Sequence, residues 1–280
     1  MIPRPLINFI SFLDFLNPYL CMRFTAYLWT KPLKPKRNIN EEEFLLTSDN
    51  FFLKVKAINK TIKCYHWVGD GPKIILVHGW SGRASNMSKI INKLNQNNFD
   101  VYAFDAPAHG ESSGGNTNLP EFISCIESLA SKVSPIYALV GHSLGGFASV
   151  YCAAKKIRLD KIILLCPVNN VFELFETFFN HTRLKKKTRN LMINYFIKKT
   201  GIIINKQLAS EKLVKQIKAK ILLIHDESDA QLSILESKKI KKNIVHGTFY
   251  FTKGLGHSRL LRNTKVVDRI ISFLKSGSFK

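Results

Sequence analysis

A serine set between glycines is the residue in this chain best equipped for chemistry. Gly141-His142-Ser143-Leu144-Gly145, with Gly146 following, lies between the apolar run Ile136-Tyr137-Ala138-Leu139-Val140 and the stretch Phe147–Ala154. The first has the composition and length of a buried strand and the second those of a helix, so Ser143 falls on a sharp strand-to-helix turn. Glycines on either side permit the tight backbone, and the hydroxyl is held out at the sheet edge. The helix that starts at Leu144 aims its unpaired N–H groups, and the positive end of its dipole, at any negative charge forming beside Ser143.

A serine hydroxyl attacks only when a base takes its proton, and the base itself must be oriented by a third group. Eight histidines compete for the base role. His78 and His109 sit in turn motifs and read as structural. His142 adjoins the nucleophile, so the turn points it elsewhere. His66 lies on an alternating strand, His181 in a middle insertion and His246 in a polar turn, while His225 ends a strand and shapes its loop. His257, in Gly254-Leu255-Gly256-His257, follows the last strand on a glycine-rich loop that can reach over the sheet edge, and is the candidate base. The orienting carboxylate is sought at another strand end, in His225-Asp226-Glu227-Ser228-Asp229-Ala230-Gln231. Asp229 is the first choice and Asp226 the alternative. Asp105 is a weaker rival, because its Pro-containing turn suits a carboxylate that caps local amides. An oxyanion needs two donors: the Leu144 N–H, and an N–H from the loop after Val77, with Trp80 behind His78-Gly79 the candidate.

The elements that must position these groups alternate along the chain. Residues 51–58 and 61–67 read as a β-hairpin about Asn59-Lys60. Strands follow at 73–77, 101–104, 136–140, 161–165, 221–224 and 248–251, with helices at about 85–95, 120–132, 147–154 and 266–274 between or after them. Apolar strands alternating with helices give a parallel α/β sheet covered on both faces, and such sheets bind ligands at the carboxyl ends of their strands. The candidate residues lie at those ends.

Composition narrows the class. The chain has 280 residues, 45% hydrophobic and 22% charged, which is an ordinary globular balance with enough length for a sizeable core. Five scattered cysteines within apolar runs argue for reduced thiols in a reducing, cytoplasmic compartment. No CxxC pair and no HExxH is present, so no metal site is expected. Forty-two Lys and Arg against twenty Asp and Glu leave a formal charge of +22. These cations are spread over the chain rather than gathered in a nucleic-acid module, so nucleic acid is not the expected partner. Residues 1–48 form an amphipathic N-terminal segment in which Asp14, Asn17-Pro18 and Arg23 interrupt the apolar run, too broken for a spanning helix or a clean signal peptide. Two readings stand: a helix pair packed on the domain, or an interfacial anchor on the inner face of an anionic membrane completed by Lys31, Lys34, Lys36 and Arg37.

Taken together, His78-Gly79-Trp80, Asp105-Ala106-Pro107-Ala108-His109-Gly110-Glu111-Ser112, Gly141–Gly145, His225–Asp229 and Gly254–His257 resemble the α/β-hydrolase superfamily, over about residues 50–275. The resemblance implies an eight-stranded, mostly parallel sheet, no cofactor, and Ser143/Asp229/His257 hydrolysis through an acyl-enzyme, in the nucleophile–acid–base order of this fold. Two departures stand out: His225-Asp226 where His-Gly is common, and Leu232-Ser233 after the acid where Val-Pro is common. With the core at 49–167 and 220–280, the resemblance makes residues 168–219 a helical cap insertion. There Val171, Phe172, Phe175, Phe178 and Phe179 recur at helical spacing. They pack the insertion, or some of them (Phe172, Phe175, Phe179) line an acyl pocket. The expected activity is a serine esterase, lipase-like, on a small-molecule ester with an apolar acyl group. Acyl transfer, thioester cleavage and C–C hydrolysis use the same groups, and a non-catalytic membrane-associated binding module is the reading from another class. Oligomeric state is open at this level.

Overall fold

The computed structural model describes residues 2–276. In chain order the helices are α1 (Arg4–Leu16), α2 (Pro18–Thr30), α3 (Ile39–Leu46), α4 (Ser88–Gln96), α5 (Leu119–Val133), α6 (Leu144–Lys155), α7 (Val171–His181), α8 (Lys186–Thr200), α9 (Ser210–Leu213), α10 (Ile234–Lys241), α11 (Gly256–Arg259) and α12 (Thr264–Ser276). The strands are β1 (Asp49–Val55), β2 (Lys60–Trp67), β3 (Lys73–Val77), β4 (Asp100–Phe104), β5 (Ala138–His142), β6 (Lys161–Leu165), β7 (Lys220–Asp226) and β8 (Gly247–Thr252). They fall into two compact units: Met1–Lys31 with Asn170–Ala209, and Pro32–Asn169 with Ser210–Lys280.

The larger unit is built on one eight-stranded sheet of order β1-β2-β4-β3-β5-β6-β7-β8. β2 pairs antiparallel with β1 and β4, and every other pairing is parallel. This is the parallel α/β sheet that the strand–helix alternation implied, with the eight strands and mostly parallel order that the resemblance to the α/β-hydrolase superfamily implied. Strand side chains alternate between faces. Ile74, Leu76, Ala138, Val140, Ile163, Leu165, Leu222 and Ile224 therefore share one face, packed with Ile90, Ile91 and Leu94 of α4 and Val266, Val267, Ile270 and Phe273 of α12. On the other, α5 and α6 pack together and against β3. Burial on both faces explains why the parallel strands read as unbroken apolar runs. The first strand is shorter than the sequence reading: β1 stops at Val55, and a single 3₁₀ turn over Lys56–Ile58 leads to Asn59 at φ 49° before β2 begins. Asn tolerates that left-handed conformation, so it turns the chain at little cost.

The smaller unit is helical. α1 runs into α2 through Asn17 alone, whose Oδ1 accepts from the Tyr19 and Leu20 amides. α2 packs on α8. Trp29 of α2 meets Phe175 and Phe178 of α7 at 4.6 and 5.0 Å between ring centres. Asp14, which breaks the apolar pattern of α1 in sequence, is buried and serves α8 instead. Its carboxylate accepts from the Lys185 amide at 2.7 Å and from the Thr188 hydroxyl at the start of that helix. A carboxylate there satisfies an orphan N–H and meets the positive end of the dipole. Among the described residues no helix is long and apolar enough to cross a membrane.

Candidate active site

Ser143 stands between β5 and α6 with φ 53° and ψ −118°, a conformation that L-residues rarely adopt. Its amide donates to the Leu165 carbonyl at 3.0 Å, and its carbonyl accepts from Phe147 and Val168. The glycines are required by space. A Cβ on Gly145 would lie 2.3 and 2.4 Å from the His78 and Val77 carbonyl oxygens, and one on Gly141 would lie 2.6 Å from the Gly145 oxygen. The elbow is thus wedged against the end of β3. A Cβ on Gly79 would lie 2.9 Å from the Ser143 Cβ, so the 78–80 segment runs directly beside the serine.

That segment is fixed by imidazoles. His78 Nδ1 donates to the Gly79 carbonyl at 2.7 Å while Nε2 accepts from the Ala106 amide at 2.9 Å. The Gly79 carbonyl also accepts from Gly82 N at 3.0 Å. In a trans peptide the C=O and N–H point in opposite directions, so the Trp80 N–H faces away from His78. The Trp80 ring stands edge-on to His109, 5.6 Å away, and is one-third exposed. His109 accepts from Ser81 N and donates to the Pro107 carbonyl. Burial pushes both imidazoles down, His78 to about 4 and His109 to about 3, so both are neutral struts at pH 7.

The two loops beyond β7 and β8 bring an acid and a base together. His257 Nδ1 donates to Asp229 Oδ2 at 2.7 Å, which leaves Nε2 as the ring's proton acceptor. Asp229 Oδ1 accepts from the Gln231 and Leu232 amides at 2.8 and 3.0 Å. His225 Nε2, donating to the Leu232 carbonyl, lies 3.3 Å from Asp229 Oδ2. Burial by itself would raise this carboxyl. The hydrogen bonds from His225 and His257, with the Leu232 amide, outweigh it and hold Asp229 well below the usual carboxylate range.

Asp226, the alternative acid, is fully buried and spent otherwise. It accepts from Ser228 N (2.9 Å), Gly256 N (2.8 Å), Leu255 N (3.0 Å) and the Thr252 hydroxyl (2.7 Å), and so ties the acid loop to the base loop. Asp105 caps Ala84 N at 2.9 Å and Glu111 N at 3.1 Å and pairs with Arg37 at 2.9 Å. His142 is buried, pushed down to about 3 by burial and then by the neighbouring His257. Its Nε2 donates to the His257 carbonyl at 3.0 Å, and the rings lie 4.7 Å apart. His142 therefore steadies the backbone of His257. Nothing but its adjacency to Ser143 hinted at this, whereas the i, i+4 spacing of His225 and Asp229 did offer a signal.

Leu144 is the first residue of α6, where an amide has no partner within the helix. The three phenylalanines lie in the smaller unit. Phe175 and Phe179 are buried there, in ring contact with each other and with Phe196 and Phe178, respectively. Phe172, half-buried, is the one with surface left for a ligand. Cys166, His225 and Asp229 could each offer a metal a ligand atom, all within 4.8 Å. The His225 and Asp229 atoms are already engaged in the bonds above, and burial pushes the Cys166 thiol up, against the thiolate a metal needs.

Residues 72–198 match the family model for the alpha/beta hydrolase fold. The chain is 27% identical over 173 residues to the uncharacterized hydrolase YugF of Bacillus subtilis, covering 58% of this chain and 56% of that protein. To protein phosphatase methylesterase 1 of Rattus norvegicus it is 25% identical over 204 residues, 67% of this chain and 49% of that one. It thus spans about half the length of the curated relatives it matches. The esterase Pf2001 of Pyrococcus furiosus superposes with a TM-score of 0.65 at 17% identity, over 88% of this chain and 96% of that structure, a likeness of fold.

Proposed function

This chain is a member of the α/β-hydrolase superfamily, and from that premise we propose that it is a serine hydrolase cleaving carboxylic esters with an apolar acyl group. The observation that carries the reading is the 2.7 Å bond from His257 Nδ1 to an Asp229 carboxylate held ionised by its other donors. It is joined by a serine fixed on a strained elbow at the end of β5.

In this reading Ser143 Oγ attacks the ester carbonyl carbon as its proton passes to His257 Nε2. Asp229 keeps the imidazole in the required tautomer and stabilises the imidazolium. The carbonyl oxygen becomes an oxyanion that accepts from the Leu144 and Trp80 amides, preset before the charge appears. Collapse breaks the C–O bond, and the alcohol leaves with the proton from His257. Water then adds to the acyl-enzyme, its proton going to Nε2, and the carboxylic acid departs as that proton returns to Ser143. Trp80, one-third exposed beside Gly79, supplies an apolar wall.

The test is turnover of p-nitrophenyl esters of increasing chain length. Ser143→Ala should lower kcat on the order of 10⁴-fold or more. Full activity in that variant overturns the proposal, and a panel with no preference for longer acyl chains removes its acyl part.

A further inference from the structure

The junction of α1 and α2 carries an apolar tip that the fold leaves uncovered. The helices are joined through one residue, so Phe12, Phe15 and Leu16 at the end of α1 lie within two turns of Tyr19 and Leu20 at the start of α2. All five are exposed, Phe15 at 72% and Leu16 at 60%. Phe9 and Tyr27, also exposed, extend the apolar surface along the two helices. Among the described residues the other exposed large apolar side chains, such as Phe52 and Val245, are well separated from one another in sequence. Scattered apolar residues need no explanation, but a contiguous group marks a contact surface.

Charge identifies the occupant. The only acid in α1 and α2 is Asp14, and it is buried under α8, so no carboxylate faces outward from the pair. The helical unit Met1–Lys31 with Asn170–Ala209 holds eleven Lys and Arg against three acidic residues, Asp14, Glu173 and Glu176. Some of these cations stand along the apolar surface of the two helices, from the tip to the far end of α2. Lys185 Nζ lies 4.9 Å from the Phe15 ring centre and Lys31 Nζ 5.2 Å from that of Tyr27, and Arg23 is exposed between Tyr19 and Tyr27. Aromatic rings with cations close by suit the boundary between headgroups and acyl chains of an anionic bilayer. A helix of 13 residues rises about 20 Å, too short to span the apolar core.

We propose that the α1–α2 tip docks on anionic phospholipid bilayers, with Phe12, Phe15, Leu16, Tyr19 and Leu20 inserted into the interface and the surrounding lysines and arginines on the headgroups. This holds whatever reaction the larger unit performs. The test is co-pelleting of the full chain with sucrose-loaded vesicles of phosphatidylcholine alone or with one-third phosphatidylglycerol. Partition should be at least tenfold higher on the anionic vesicles and weaken in high salt. Phe15→Asp with Leu20→Asp should lower it at least tenfold, with unchanged circular dichroism and elution volume. Arg23→Glu with Lys185→Glu should erase the anionic preference. A wild-type chain that stays in the supernatant with both vesicles overturns the proposal. So does undiminished pelleting of the aspartate variant, or a dimer in solution that this variant splits, because the tip then serves a second copy of the chain.

Discussion

Asp229 and Asp226 sit three residues apart and divide their labour by hydrogen-bond partners. Asp229 spends one oxygen on local amides and the other on imidazoles, whereas Asp226 accepts from four donors that bind two loops together. Asp229→Asn should leave folding near normal but lower kcat about 10³–10⁴-fold, since an amide no longer enforces the Nδ1–H tautomer of His257. Asp226→Ala should instead appear first in stability. It strands four donors around a buried site, a loss on the order of 2–3 kcal/mol in urea unfolding. Equal kinetic and stability profiles for the two variants would contradict this division. Ser143 permits a sharper comparison, because its backbone strain of about 1–3 kcal/mol outweighs the roughly 0.4–1 kcal/mol by which Gly loosens the unfolded chain. Ser143→Gly should therefore be more stable than Ser143→Ala by about 1 kcal/mol, by the same balance. Thermal melts of the two inactive proteins decide it.

At the scale of the element, the β5–α6 elbow shows why glycine spacing was so legible in the sequence. Gly145 passes within van der Waals range of the carbonyls ending β3, and no side chain fits there. Gly145→Ala should destabilise by at least about 2–3 kcal/mol, the scale of overpacking against atoms that cannot yield. It should also displace the Leu144 amide and so depress turnover. Gly115→Ala, with nothing within 4 Å, is the neutral comparison, and matching melts for the two would contradict this account. The turn that holds Ser143, the loop that carries His257 and the sheet were readable because local rules set them: short apolar runs, turn glycines, strand-end loops. The partners of His142 and Asp226 were not, because they are fixed by which loops the fold brings side by side. Asp14 teaches the same lesson. In sequence it interrupts a helix, and in the structure it caps another helix 171 residues later.

For the whole molecule, buried neutral histidines set the response to acid. His78, His109 and His142 have native pKa values depressed to about 4, 3 and 3, against about 6.5 in the unfolded chain. Above pH 6.5 both states leave them neutral. Below it the unfolded chain binds protons that the native fold refuses, so stability falls with pH, by up to about 1.4 kcal/mol per unit for each histidine. Asp229, depressed in the fold, adds its own loss only below about pH 4. Urea midpoints should thus drop steeply from pH 7 to pH 5, and a flat profile would contradict neutral burial of these rings. The surplus of cations was plain from composition, but its meaning for the helical unit depended on seeing that the one acid of α1 and α2 faces inward.

In the proposed mechanism Ser143 is an activated nucleophile served by His257 and Asp229. Labelling with a fluorophosphonate, read by peptide mass spectrometry, addresses it without assuming a substrate. One adduct is expected, on Ser143, formed rapidly in the wild-type chain, slowed at least a hundredfold in Asp229→Asn and absent in Ser143→Ala. An unlabelled Ser143 in folded protein, or an adduct whose rate ignores Asp229, would contradict it.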